Sequence, residues 1–250
     1  MLPRFPRTAG YDADWVVGNQ MGPHPLWLVE SLAELLPVEA GTRVLDLGCG
    51  TALTSIFLAR EFGARVWAAD LWIDPAGNWS RVREAGVADL VTPLRAEAHD
   101  LPFAPGFFDT VVSIDAYHYF GTDDLYLGWT LAPVLAPGGR IGIVVPGLRE
   151  DVDEVPEALR PHWHPDFWTF HSPAWWRRHW DRSGAVDVEV ADLVPDGHRL
   201  WRTWAEGLRE AGAGVAADAP PPPDDVDDLA LLDADRDHLL GFVRAVARRR

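Results

Sequence analysis

A single cysteine, Cys49, stands in a chain of 250 residues. One thiol excludes an intramolecular disulfide and any zinc site built on several cysteines, and it agrees with a reducing compartment. Positive charge is also scarce, with 22 basic side chains against 38 acidic ones and a formal net charge of −16. Nucleic-acid affinity comes largely from clustered cations, so a surface built to neutralise phosphates is not expected. The terminal ARRR is too short to reverse that balance. No apolar run is long enough to span a bilayer, and the opening MLPRFPRTAGYDADW has no apolar stretch of leader length. The expectation is one cytoplasmic domain with neither membrane nor nucleic-acid partners, a homodimer being left open. No internal repeat is visible.

What is present is alternation. Residues 24–36, HPLWLVESLAELL, place Val29, Leu32, Ala33 and Leu36 on one face of a helix. Runs rich in Val and Ile follow at 42–48, 64–71, 90–96, 109–115 and 139–146. Between them TSIFLAREF sets Ile56, Phe57 and Arg60 in helical register, and DDLYLGWTLAPVL does the same for Leu127, Leu131 and Val134. This pattern predicts strand-helix-strand units, hence an α/β fold with a largely parallel sheet covered on both faces.

The second half is less regular. APGG at 136–139 reads as the turn before the fifth strand. Residues 147–171 are too long and too rich in Pro, Trp and His for a routine connection, and read as a lid. Ser172 caps a helix with Pro173 in its first turn, which stops at Gly184. In AVDVEVADL, Val186, Val188 and Val190 point inward against Asp187 and Glu189. Another helix covers 200–211, and the acidic, proline-rich stretch 212–228 reads as a mobile surface loop. Residues 238–249 read as a last strand, because Gly241 is poor in a helix interior and Val and Phe favour a sheet.

The chemistry concentrates in VLDLGCGTALTS, residues 44–55. In a doubly wound sheet ligands bind beyond the carboxyl ends of the strands, and this loop leaves the first strand there. Gly48 and Gly50 let the main chain bend sharply and let a ligand lie against it. The helix beginning after Thr51 offers free N–H groups and a positive dipole end. A dinucleotide fingerprint wants a third glycine three residues after Gly50, where Leu53 stands instead. A second acid, Asp70, ends the second strand, where a carboxylate can accept both hydroxyls of a ribose. The site reads as fit for a nucleoside but not for a pyrophosphate.

VLDLGCGTA, VWAADLW, AEAHDLPFAPGFFDTVVSIDAYHYF and LAPGGRIGIVVPG fall in the order and spacing of the class I S-adenosylmethionine-dependent methyltransferases of the type 11 group, which this chain resembles over residues 25–147. The resemblance implies a Rossmann-like, doubly wound, mostly parallel seven-stranded sheet with an antiparallel last strand. It implies a cofactor-binding core at about 25–147, followed by the lid and the acidic loop. S-Adenosylmethionine would be the cofactor. Asp46, Gly48 and Gly50 would hold its methionine portion, with Cys49 between the glycines and Asp115 after the fourth strand in the same set. Asp70 would take the ribose, Leu71 would pack on the adenine, and Glu97 with Ala98 would address its amino edge. The family's third motif glycine is Ala52 here. The segment SIDAYHYF would line the space between donor and acceptor.

The activity so implied is methyl transfer to the oxygen or nitrogen of a small molecule, by in-line displacement. Positioning of that kind is worth roughly 7–11 kcal/mol, and a nearby base adds on the order of a hundredfold to ten-thousandfold. His118, with Tyr117 beside it, is the first candidate base. Tyr119, His162, His164 and His171 are candidate substrate contacts. A metal is not expected, since Asp151, Asp153, Glu154 and Glu157 near the lid histidines lack a ligand spacing and read as a solvated face. Trp163, Trp168, Trp175, Trp176 and Trp180 fit either core and lid packing or an aromatic cage for a cationic or flat acceptor. A rival reading is a module that binds the cofactor without turnover. A nicotinamide-dependent oxidoreductase is disfavoured by Leu53.

Overall fold

The structure is a computed structural model that describes residues 4–221 and 226–250. The chain opens with α1 (Ala13–Asn19) and α2 (Pro25–Ala33), then alternates β1 (Arg43–Leu47), α3 (Leu53–Phe62), β2 (Arg65–Asp70), α4 (Pro75–Glu84), β3 (Val91–Arg95) and β4 (Phe108–Ile114). A π-helical turn, Leu127–Leu131, runs into α5 (Ala132–Val134) and β5 (Leu135–Leu148). Next come α6 (Pro173–Ser183), β6 (Val186–Leu193), α7 (Gly197–Ala211), α8 (Asp228–Ala234) and β7 (Leu240–Arg249).

Among the described residues seven strands form one sheet in the order β3-β2-β1-β4-β5-β7-β6. Only β7 runs antiparallel, to β5 on one side and β6 on the other. The order reverses between β1 and β4, which opens a crevice at their carboxyl ends. Period-two alternation splits the core across the sheet. Along β1, Val44 joins one hydrophobic cluster with α2 and α3, while Leu45 and Leu47 join the other with Trp176 and Trp180 of α6. Asp46 therefore points to the α3 side.

Most expected elements form as their chemistry requires. Ser172 Oγ accepts from the Trp175 N–H at 3.1 Å, and α6 ends on Gly184 at φ 66°. Residues 240–249 are the strand expected there. Three details differ. APGG turns inside β5 rather than before it, because β5 begins at Leu135 and the pairing with β4 jumps from Phe108↔Leu135 to Thr110↔Arg140, leaving 136–139 looped out with Gly138 at φ 74°. A second bulge between Val188 and Val190 breaks the alternation of β6. Val188, Ala191 and Leu193 pack on the α6 side and Val190 on the other.

The third difference concerns the acidic loop. Residues 222–225 lie outside the described residues, but 212–221 are tied down. The Ala216 N–H donates to Gln20 O and Gln20 Nε2 donates to Gly214 O, both at 2.8 Å, while Asp218 pairs with Arg81. Asp227 then caps α8, accepting from the N–H groups of Leu229 and Ala230. Among the described residues no helix is long and apolar enough to cross a membrane.

Candidate functional site

A cavity of about 370 Å³ opens beyond the carboxyl ends of β1, β2 and β4. The glycine loop forms its floor. Gly48 has φ +73°, and a Cβ there would stand 2.4 Å from the Ala116 Cβ; Gly50 has φ +52°, and its Cβ would stand 2.8 Å from Met21 Sδ. Side chains at these two positions would collide with the walls and fill the cradle, which is the reason for glycine. Asp46 is fully buried below the loop, accepting from Thr54 Oγ1 at 2.5 Å and Ser55 Oγ at 2.6 Å. Its Oδ1 has no partner, and burial raises its pKa to about 6.

Asp70 also serves the loop. Its Oδ2 accepts from the Gly50 N–H at 2.8 Å, and its Oδ1 accepts from the N–H groups of Trp72 and Ile73 at 2.8 and 3.0 Å. A carboxylate has about four acceptor sites, so the arrangement leaves Oδ2 room for one further donor. Glu97 also lines the cavity, and the His99 ring, at 2.9 Å, holds its carboxyl below the usual range. Cys49 is buried, and burial pushes its thiol up. Beneath the loop Asn78 Nδ2 donates to Gly50 O at 2.8 Å, and Arg81 links Asn78 to Asn19 and Asp218. One network thus joins α4, the glycine loop, the N-terminal segment and the anchored stretch 212–221.

A second cavity, of about 600 Å³, adjoins the first. Met21, Gly22, Pro23, Asp115 and Tyr119 line both. Asp115 is held at φ +56°, a left-handed conformation that costs roughly 1–2 kcal/mol in an ordinary residue. Its Oδ2 lies 2.7 Å from the position a Gly22 Cβ would take. Desolvation, helped by the charge of Asp228, raises the Asp115 pKa to about 8. His118 lines this second cavity at 1% exposure, Nδ1 without a partner, its pKa lowered to about 3 by burial. The imidazole is neutral. Phe167, Phe170, Trp201 and Trp204 supply apolar walls, and Trp204 Nε1 donates to Gly22 O at 2.9 Å, pinning the N-terminal segment between the cavities.

Residues 44–139, from the glycine motif to the start of the fifth strand's regular pairing, match the methyltransferase domain family. The chain carries a class I methyltransferase domain. Methyltransferase GfsG of Streptomyces halstedii is 36% identical over 135 residues, which cover 53% of this chain and 48% of that protein. Erythromycin 3''-O-methyltransferase of Saccharopolyspora erythraea is 32% identical over 191 residues, 74% of this chain and 55% of the relative. The chain spans about half the length of these named relatives. Among solved structures, the 4+2 cyclase SpnF superposes with a TM-score of 0.68 at 19% identity, covering 88% of this chain and 80% of that one.

Within this methyltransferase domain, Gly48, Cys49, Gly50, Asp70, Leu71, Glu97, Ala98 and Asp115 all line the first cavity. Asp46 does not. Alternation along β1 turns it under α3, so its carboxylate holds the helix start rather than facing the cavity. Tyr117 is a second correction: it is fully buried against Trp176, Trp180 and Tyr126, and it lines neither cavity. Tyr119, 53% exposed, is the tyrosine at the junction.

The lid histidines are a third correction. His162, His164 and His171 line neither cavity. His164 accepts from the Asp166 N–H at the start of a short 3-10 helix, and His171 stacks on Trp175 at 3.6 Å. From that segment Phe167 and Phe170 reach the second cavity instead. The five tryptophans singled out in the sequence do not form a cage: Trp176 and Trp180 are core, and Trp168 is 61% exposed. Sequence reasoning missed Met21 to Pro23, Trp72, Asn78, Trp201, Trp204 and Asp228. A topological signal existed for the first group, since α2 ends just before β1 and must therefore start at the carboxyl edge of the sheet.

Proposed function

We propose that this chain transfers a methyl group from S-adenosylmethionine to the oxygen or nitrogen of a small molecule. The observation that carries the reading is the meeting of two cavities at Asp115 and Tyr119, one floored by the glycine loop and the other walled by aromatic side chains. The glycine cradle fits such a cofactor, because Cβ atoms at Gly48 and Gly50 would occupy its place. When bound, S-adenosylmethionine supplies a methyl group already activated on a sulfonium.

The chain then has to bind, orient and exclude water. Gly48 and Gly50 present main chain to the amino-acid end, and Asp46 keeps the start of α3 in position beneath them. Asp70 offers one remaining acceptor to the ribose, Leu71 and Trp72 offer apolar surface to the adenine, and Glu97 with Ala98 borders its polar edge. His118, neutral and lining the second cavity, is the residue assigned to orient the nucleophile. Its low basicity makes orientation, rather than full proton removal, its main contribution. Tyr119 contributes a hydroxyl at the junction, where partial desolvation and the nearby acids Asp115 and Asp166 keep it protonated.

The domain organisation we infer is a single unit in which residues 4–24 and 212–221 close over the core at 25–147, together with the lid at 147–171. A cytoplasmic setting is supported by one deeply buried thiol, and the net charge of −16 supports a small-molecule rather than a nucleic-acid acceptor. Calorimetric titration with S-adenosylmethionine tests the first half of the reading: saturable binding is expected, at least tenfold weaker in Asp70→Ala. Absence of binding, or an affinity indifferent to that substitution, overturns it. Release of S-adenosylhomocysteine across a panel of small hydroxylated and aminated compounds tests the second half. A second reading, a cofactor-binding module without methyl transfer, draws support from the likeness to a cyclase. It predicts binding with no demethylated product on any acceptor.

A further inference from the structure

Arg81 is the point where three stretches remote in sequence meet. It projects from α4 with only 13% of its side chain exposed. Its Nη1 donates to Asn78 Oδ1 at 3.1 Å, its Nε donates to Asn19 Oδ1 at 2.7 Å, and its Nη2 pairs with Asp218. Asn78, 1% exposed, passes the constraint inward: its Nδ2 donates to Gly50 O at 2.8 Å, while Asp70 accepts from the Gly50 N–H. Both polar groups of one cradle glycine are therefore held by side chains.

Glycine makes room for these contacts twice. Gly77 stands third in α4, where glycine weakens a helix, yet a Cβ there would stand 2.8 Å from Asp218 Oδ2 and 3.4 Å from Arg81 Nη1. A Cβ at Gly50 would stand 2.8 Å from Met21 Sδ. Side chains are thus missing where the stretch 212–221 meets α4 and where residues 19–23 meet the glycine loop. Thr51 Oγ1, donating to Asn19 O at 2.5 Å, ties the loop to the same segment, and Gln20 bonds in turn to Gly214 and Ala216.

We propose that Arg81 is a positioning residue: with Asp218 it latches residues 19–23 and 212–221 onto the glycine loop as a strap, so that filling the first cavity and closing the strap favour each other. That the ligand filling it is S-adenosylmethionine or its demethylated product rests on the methyl-transfer reading above.

Arginine suits the position, since its guanidinium presents five donors in a planar fork and serves three acceptors at once, which a lysine ammonium does not do in fixed geometry. An ion pair near the surface contributes little by itself; the effect comes from what this one holds. Met21, Gly22 and Pro23 line the first cavity, so a ligand in the cradle touches the closed strap and loses that contact when the strap opens. Such a difference in affinity is what shifts an equilibrium between two arrangements. The coupling is reciprocal, the latch adding to ligand affinity the same factor that the ligand adds to closure. The same three residues line the second cavity, which makes the strap the element through which occupancy of one cavity reaches the other.

The test uses the full chain and S-adenosylhomocysteine. Dissociation is followed by stopped-flow tryptophan fluorescence, Trp72 being in the cavity wall, and closure by hydrogen exchange at the Ala216 amide, which donates to Gln20 O. Asp218 lines neither cavity, so Asp218→Ala removes no ligand contact. It should speed dissociation at least fivefold, and so should Arg81→Lys. In the parent chain the ligand should slow Ala216 exchange at least fivefold, and in Asp218→Ala that slowing should vanish, a change that a merely stabilising ion pair does not produce. Gly77→Ala separates the latch from the helix, because it favours α4 while crowding Asp218. Faster dissociation with an unchanged or higher melting temperature is expected of it. Dissociation at the parent's rate in all three variants overturns the proposal, and so does ligand-dependent slowing at Ala216 that survives in Asp218→Ala. If the parent binds no S-adenosylhomocysteine, the methyl-transfer reading falls and the latch with it; binding indifferent to the variants overturns the latch alone.

Discussion

The two cavities are built from different materials. The first is made of main chain: the ends of parallel strands, a loop bent through Gly48 and Gly50, and a carboxylate, Asp70, spent on three N–H groups. The second is made of side chains delivered by elements remote in sequence, from Met21 near the start to Asp228 near the end. Main-chain geometry tolerates almost no change of residue type at a few positions. A side-chain wall can be rebuilt by substitution while the sheet stays as it is. The first cavity therefore suits a ligand shared by many relatives, and the second suits whatever acceptor a particular chain takes.

If that contrast is right, the largest effect belongs to the smallest addition. Gly48→Ala places a methyl 2.4 Å from the Ala116 Cβ at φ +73°. Overpacking costs about 1–3 kcal/mol and a left-handed alanine about 1–2 kcal/mol, so a loss of roughly 2–5 kcal/mol is expected in urea unfolding. Adding a methyl in the second cavity, as in Gly214→Ala, should cost under about 0.5 kcal/mol, since no atom lies within 4 Å of a Cβ there. Equal costs at the two sites would break the comparison.

The same contrast explains what the sequence revealed. Strands and the glycine loop carry local signatures, because alternation, a Gly-x-Gly bend and an acid at a strand end are short-range requirements. So the sheet, the cap at Ser172 and the final strand were legible, and eight of the nine residues singled out there line one cavity. Asp46 was misplaced because its facing depends on strand register, which sends Val44 and Asp46 to one side and Leu45 and Leu47 to the other. Tyr117 and His118 are neighbours, yet one enters the core and the other the cavity, a difference set by a 3-10 turn over Tyr117–Tyr119 that no periodicity announces. The acceptor walls were hidden for a stronger reason. Trp201 and Asp228 become neighbours only when α7 and α8 pack, and the intervening acidic stretch gave no sign of that contact.

An intermediate effect should come from pH, and it should be carried by the second cavity. Burial lowers His118 to about 3 and His24 to about 3 from an ordinary value near 6.5. Between those limits the unfolded chain binds more protons than the folded one, so stability rises with pH through the window and is lost on acidification below about 6.5. Each fully buried neutral histidine contributes up to about 1.4 kcal/mol per pH unit. Asp115 acts oppositely, because its folded-state pKa is raised to about 8, and it lowers stability as pH rises from about 4 toward 8. Urea unfolding at pH 6 and pH 5 should show a pH slope of stability that differs between the parent chain and His118→Gln by roughly 1 kcal/mol per unit, the parent losing more on acidification. An identical slope in the two proteins would mean that His118 titrates normally and that the second cavity is wetter than its walls imply.

The smallest effect should fall at Ala52, where two costs oppose each other inside the first cavity's own motif. Ala52 caps α3 at φ 63° and ψ 20°, in the left-handed region that glycine occupies freely. Replacing it by glycine relieves about 1–2 kcal/mol of backbone strain. It also removes a fully buried methyl, worth about 0.8 kcal/mol, and loosens the unfolded chain by about 0.4–1 kcal/mol. The sum is near zero, so Ala52→Gly should shift stability by less than about 1 kcal/mol, or under roughly 2–4 °C in Tm for a chain of this size, with cofactor affinity held. A gain well beyond that range would show that the methyl strains the loop more than the burial of Ala52 compensates. The glycine cradle would then be suboptimal as it stands, and the division between a fixed cofactor wall and an adjustable acceptor wall would be less strict than the geometry of Gly48 implies.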